Sequence, residues 1–96
     1  MPSYIKVVWH HRPADEPVEL YSEIDDSRWE LRKVEVYRDG RHDFADATQC
    51  TGTTLLSDQP LPTLDQIAVQ TEFTPIAIER AEFEDAWLRA TRGLTK

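Results

Sequence analysis

The residues with which this chain could do chemistry are its histidines, its cysteine and its carboxylates, and their spacing limits what that chemistry is. His10 and His11 stand side by side near Asp15 and Glu16, and His42-Asp43 lies on a later segment. A metal ion needs three or four such ligands on one point, whereas neighbours in a strand point to opposite faces. His10 with His42 is therefore the one metal alternative, against surface or rim histidines as the ordinary reading, and no metal or cofactor is expected. Cys50 has no Cys-His signature around it and reads as a small residue at a strand end. Gly-x-Ser-x-Gly, His-Glu-x-x-His and phosphate-cradling glycine loops are absent, and three glycines leave little room for such loops. No catalytic residue is assigned.

Composition sets the limits within which these side chains must be placed. Ninety-six residues suffice for one domain, 1–96, with a single modest core. The net charge of −7 is uneven: residues 13–30 hold seven acids against one arginine, while residues 31–41 are basic. Such a surface repels phosphate backbones and anionic lipid, so neither nucleic acid nor membrane is an expected partner and a basic protein is. A lone cysteine, and the lack of a long apolar run or a basic leader, point to a reducing, cytoplasmic setting.

The apolar pattern predicts strands first and helices afterwards. Ile5, Val7 and Trp9 alternate over Ser3 to His10, and a proline-bracketed acidic loop, His11 to Pro17, follows. With Asp26 and Ser27 at the centre of a tight turn, Ile24 faces Trp29 and Ser22 faces Leu31. The apolar phase then slips at Arg32-Lys33, which predicts a β-bulge there that sets Leu20 against Val34 and Val18 against Val36. A three-residue turn with Gly40 in the left-handed region pairs Val34 with Phe44, and the fourth strand runs from about Arg41 to Gln49. Thr54 to Leu56 allows a short edge strand. Thr63 and Gln66 form a capping-box pattern, so a helix starts near Leu64 and buries Leu64 and Ile67. Phe83, Ala86, Trp87 and Ala90 make the buried stripe of a last helix that stops at Gly93. The expected fold is α+β: a mainly antiparallel four- to five-stranded meander sheet with two C-terminal helices packed on one face.

This register puts Trp9, Trp29 and Phe44 on the core face and Tyr4, Tyr21 and Tyr37 together on the other, among Lys6, Glu19, Glu23, Arg32 and Glu35. Glu23 and Glu30 then oppose each other, and Lys6, Arg28, Arg32 or Lys33 must neutralise them. Tyrosine combines contact area with a polar tip, so Glu19, Tyr21, Glu23, Tyr37 and Tyr4 are the candidate binding residues. The pattern leaves open whether this face is exposed or covered.

The stretches "YIKVVWHH", "EPVELYSEIDDSRWELRKVEVYRDG", "PLPTLDQI" and "EFEDAW", in this order, resemble a family of roughly hundred-residue bacterial proteins known only as a domain of unknown function. The resemblance spans nearly the whole chain and implies a stand-alone bacterial protein; it implies no activity. The expected function is a non-catalytic interaction module in which the acidic loop and tyrosine face engage a basic partner, by analogy an immunity protein against a toxin. The alternative is a small enzyme or ligand-binding domain with a pocket near His10, His42 and the acidic residues. Pairing of exposed edge strands into an oligomer is a third arrangement.

Overall fold

A computed structural model of the protein describes residues 1–11 and 16–92. Five strands, β1 (Ser3–Trp9), β2 (Pro17–Ile24), β3 (Glu30–Tyr37), β4 (His42–Ala45) and β5 (Phe73–Ala77), form one antiparallel sheet in the order β4-β3-β2-β1-β5. Helix α1 (Leu64–Ala68) precedes β5, and α2 (Arg80–Thr91) follows it. The class is α+β, and the first four strands are the expected meander. Most of the acidic loop and Gly93 lie outside the described residues.

The hairpin from β3 to β4 has the predicted register. Gly40 takes φ 91°, Tyr37 and Arg41 close the turn, and Val34 pairs with Phe44. The hairpin from β2 to β3 is one residue longer than predicted. Asp25 pairs with Trp29, and its carboxylate accepts the N–H groups of Ser27 and Trp29. Arg28 adopts the left-handed conformation usually left to glycine, φ 69°. The bulge on β3 falls at Leu31 rather than Arg32-Lys33, because Glu23 pairs with Arg32 while Ile24 pairs with Glu30; a second irregularity isolates Val18. Tyr21, not Leu20, therefore faces Val34. A slip of one residue turns every side chain to the opposite face.

That slip reassigns the aromatic residues. Val34 and Phe44 form the core with Phe83 and Ala86 of α2, and Tyr4, Tyr21, Val36 and Trp87 pack against it. Tyr37 is buried, whereas Trp29 is 42% exposed in its turn, the reverse of the expected division. The stripe predicted for α2 is the one it buries.

The helices do not share a face. Helix α2 covers the side of the sheet that carries Tyr4, Tyr21 and Val34, while Ile67 of α1 faces Ile5, Val7 and Leu20 across a cleft on the other side. The cause is the connection from β4 at one edge to β5 at the other, which has to cross the sheet. It crosses opposite α2, tied down by Thr54 Oγ1 to Glu35, Lys33 Nζ to Leu55 O at 2.9 Å, and Ser57 N–H to Glu30 at 2.8 Å. Thr54 to Leu56 is thus no strand. β4 ends at Ala45, where the Asp46 carboxylate caps a turn through the N–H groups of Thr48 and Gln49.

Both sheet edges are protected. Beyond β4, Thr51 N–H bonds Phe44 O and Ala45 bridges Cys50. On β5, the bonds His10 N–H to Glu72 O and Ile78 N–H to Tyr4 O set the ladder phase, so Pro75 occupies an outward position where its missing N–H breaks no bond. A proline there also obstructs an added strand, which argues against edge pairing between copies.

Gly52, at φ 56°, lies against Asp43: a Cβ would come within 2.6 Å of Asp43 Oδ2. Gly40 has no such neighbour. Gly52→Ala is expected to cost about 2 kcal/mol and Gly40→Ala about 1 kcal/mol, the difference being the contact added to the conformational strain. Urea melts of the two variants measure it, and equal losses would mean that Asp43 moves aside freely.

Candidate functional site

The face opposite α2 carries a cleft of about 320 Å3. Its floor follows from strand alternation and register: Ile5 pairs with Ser22 and Val7 with Leu20, all four on one side. Leu61, Pro62, Ile67 and Phe73 form the wall, and Gln66 and Gln70 stand beside them. Five residues are too few to hold a helix alone, so α1 depends on its caps and contacts. Thr63 Oγ1 accepts Gln66 N–H at 3.2 Å, and Gln66 Oε1 accepts Thr63 N–H at 2.8 Å, which is the predicted capping box. The loop before it is strapped by Arg28, whose Nε donates to Leu61 O at 2.8 Å and Nη2 to Pro62 O at 2.6 Å. The left-handed residue of the β2–β3 turn thus places the wall of the cleft.

One end of the cleft is polar. Glu30 is 6% exposed, and its carboxylate accepts Ser22 Oγ–H at 2.6 Å and Ser57 N–H at 2.8 Å, with Lys33 Nζ at 3.3 Å. A buried carboxylate held by three donors is a stable anchor. As a base it is already occupied, and Ser22 has no imidazole beside it to make it a nucleophile. The arrangement can hold a group in place; it supplies no acid–base pair for reaction.

Beneath α2 lies a second set of charged groups. Arg32 Nε and Nη2 reach the Glu23 carboxylate at 2.7 and 3.0 Å, and Nη1 and Nη2 reach Glu84 at 3.2 and 2.8 Å. Its guanidinium carbon lies 4.8 and 4.9 Å from the ring centres of Phe83 and Trp87. The Arg32 hydrogen bonds hold both carboxyls below their ordinary range, against the opposing effect of burial, and Tyr4 Oη–H adds a bond to Glu23 at 2.9 Å. Arg32 is held correspondingly more firmly in its charged form. This is a clasp between sheet and helix.

The candidate binding residues are placed accordingly. Tyr4 and Tyr21 are half-buried against the α2 core, Tyr37 is buried with the Arg41 guanidinium 4.0 Å from its ring centre, Glu19 pairs with Lys6 at 3.3 Å, and Glu23 belongs to the clasp. The side that carries Tyr4 and Tyr21 is covered by α2, while Tyr37, alternating with Val34 and Val36, lies on the other side, so the three tyrosines do not share a face. Glu23 and Glu30, expected to oppose each other, lie on opposite faces, neutralised by Arg32 and Lys33 respectively. His10 Nε2 meets Thr74 Oγ1 just beyond the end of β1 and His42 Nδ1 meets Gly40 O at the start of β4, each at 2.8 Å, with β2 and β3 between those strands. The structure does not bring them together, and among the described residues no cluster of three or more metal-ligating side chains occurs. Cys50 is exposed. Sequence reasoning missed the cleft, whose parts come from residues 5 to 73; the capping box was its one local sign.

No helix among the described residues is long and apolar enough to cross a membrane. Neither the comparison with curated proteins nor that with solved structures finds a match. A family model does, over residues 3–92, nearly the full length of the chain. The chain therefore belongs to the family described as Domain of unknown function (DUF6881).

Proposed function

We propose that the chain is a non-catalytic interaction module, which holds a partner protein and transforms no substrate. The observation that carries this reading is the cleft of about 320 Å3, whose lining is mostly apolar and whose ionisable groups, Glu30 and Lys33, are already bound to each other and to Ser22, Ser57 and Leu55. Its partner is a basic protein, drawn by the net charge of −7. In this reading the module works in a bacterial cytoplasm, and an immunity protein that blocks a basic toxin is one form it takes. The ligand-binding alternative draws on the same cleft, without His10 or His42.

Affinity capture from the native host at low salt, and again at about 1 M salt where the screening length is about 3 Å, tests the reading. A basic protein held in the first and shed in the second is expected. An acidic partner, or none at either salt, counts against it.

A further inference from the structure

The wall of the cleft has a charge pattern that identifies what the cleft takes. From Asp43 to Glu79 the chain runs 37 residues with six acids and no lysine, arginine or histidine, and Leu61, Pro62, Gln66, Ile67, Gln70 and Phe73 all come from this stretch. Three of its acids are exposed: Asp65 and Glu72 interleave along the chain with those wall residues, and Asp58 precedes them. Two cations lie nearby: Lys33 is neutralised by Glu30, and the Arg28 guanidinium is held on the carbonyls of Leu61 and Pro62, one positive charge beside three acids. An apolar cavity behind an acidic rim attracts a greasy group carried between cations.

Gln66 adds a directional contact. The capping box engages its Oε1, which leaves the Nε2 hydrogens, without a partner among the described residues, to donate at the edge of the cleft. A peptide carbonyl is a fitting acceptor. A second copy of the chain is a poor occupant, since it brings another net charge of −7.

We propose that the cleft between α1 and the sheet receives a peptide segment of the basic partner, one large apolar side chain inserted over Ile5, Val7 and Leu20, with flanking lysines or arginines on the acidic rim. This rests on the interaction-module reading above and names the surface that performs it. Size agrees: about 320 Å3 equals about ten water volumes, enough for a leucine or an aromatic ring with room for its neighbours.

The test is selection from a random displayed library of peptides of about nine residues, which extend to about 30 Å, against the intact protein. Chemical-shift mapping of one winning peptide accompanies it. Enrichment of Leu, Phe or Trp with Lys or Arg close by is expected, with shifts at Val7, Gln66 and Ile67. Leu20→Trp fills the floor and lowers affinity roughly tenfold or more; Ile67→Lys, on the helix, gives the same reading if that variant fails to fold. Asp65→Lys with Glu72→Lys, both exposed, weakens binding and flattens its salt dependence. The proposal is overturned by acidic or anchor-free winners, by no enrichment, by binding indifferent to Leu20→Trp and Ile67→Lys, or by a cleft that responds to toluene and to no peptide. A captured basic protein whose retention ignores those two cleft variants would leave the interaction module standing and remove only this surface.

Discussion

Phe83→Ala is expected to lower stability by about 4 kcal/mol, a large part of what a domain of this size possesses. Phe83 is fully buried in the first turn of α2, its ring 5.5 Å from Tyr4 and 6.3 Å from Trp87 and covered by the Arg32 guanidinium. Truncation loses the transfer energy of the ring and leaves a cavity that strand residues Val34 and Phe44 cannot fill, because strand pairing on both sides holds β3 and β4 holds Phe44. At about 4–8 °C per kcal/mol for a domain of this length, Tm should fall by some 20 °C. Leu88→Ala, on the same helix but 57% exposed, should stay within about 0.5 kcal/mol. Thermal and urea melts of the pair measure the difference. Equal losses would show that α2 does not lie on this face.

How α2 finds that face explains what was readable in the chain beforehand. Its stripe, the capping box of α1 and the Gly40 hairpin depend on neighbours within a few residues, and all three agree with the sequence. The β2–β3 turn does not, because its left-handed residue is Arg28, and nothing local marks an arginine for that conformation. One uncounted residue there shifted β3 against β2 by one position, so that Val34 and Val36 share a face with Tyr21 and not with Leu20, while Phe44 stayed in the core as expected. β5 escaped notice because Pro75 weakens a strand pattern, and only at an edge is that harmless. Beyond the capping box of α1 the cleft had no local signature, since Leu20, Lys33 and Ile67 line one cavity only after the long connection crosses the sheet.

Arg32→Met should cost about 3 kcal/mol at neutral pH, with a dependence on acid that identifies the cause. Methionine preserves contact with Phe83 and Trp87 but leaves Glu23, 8% exposed, with only the Tyr4 hydroxyl among its present partners. An uncompensated buried carboxylate is the expensive part of the loss, so Arg32→Met with Glu23→Gln should recover more than 1 kcal/mol of it. In the wild type, the carboxyls of Glu23 and Glu84 are held below their unfolded values, so their contribution is full above the unfolded value of about 4.3 and is lost as pH falls through the folded ones. In Arg32→Met the sign reverses at Glu23. Burial without a cation raises its carboxyl above the unfolded value, so protonation relieves the variant while it weakens the wild type. Urea melts from neutral pH down to about pH 4 should show the two stabilities converging. A gap that stays constant over that range would mean that Arg32 holds α2 by its contact with the rings and not by its charge.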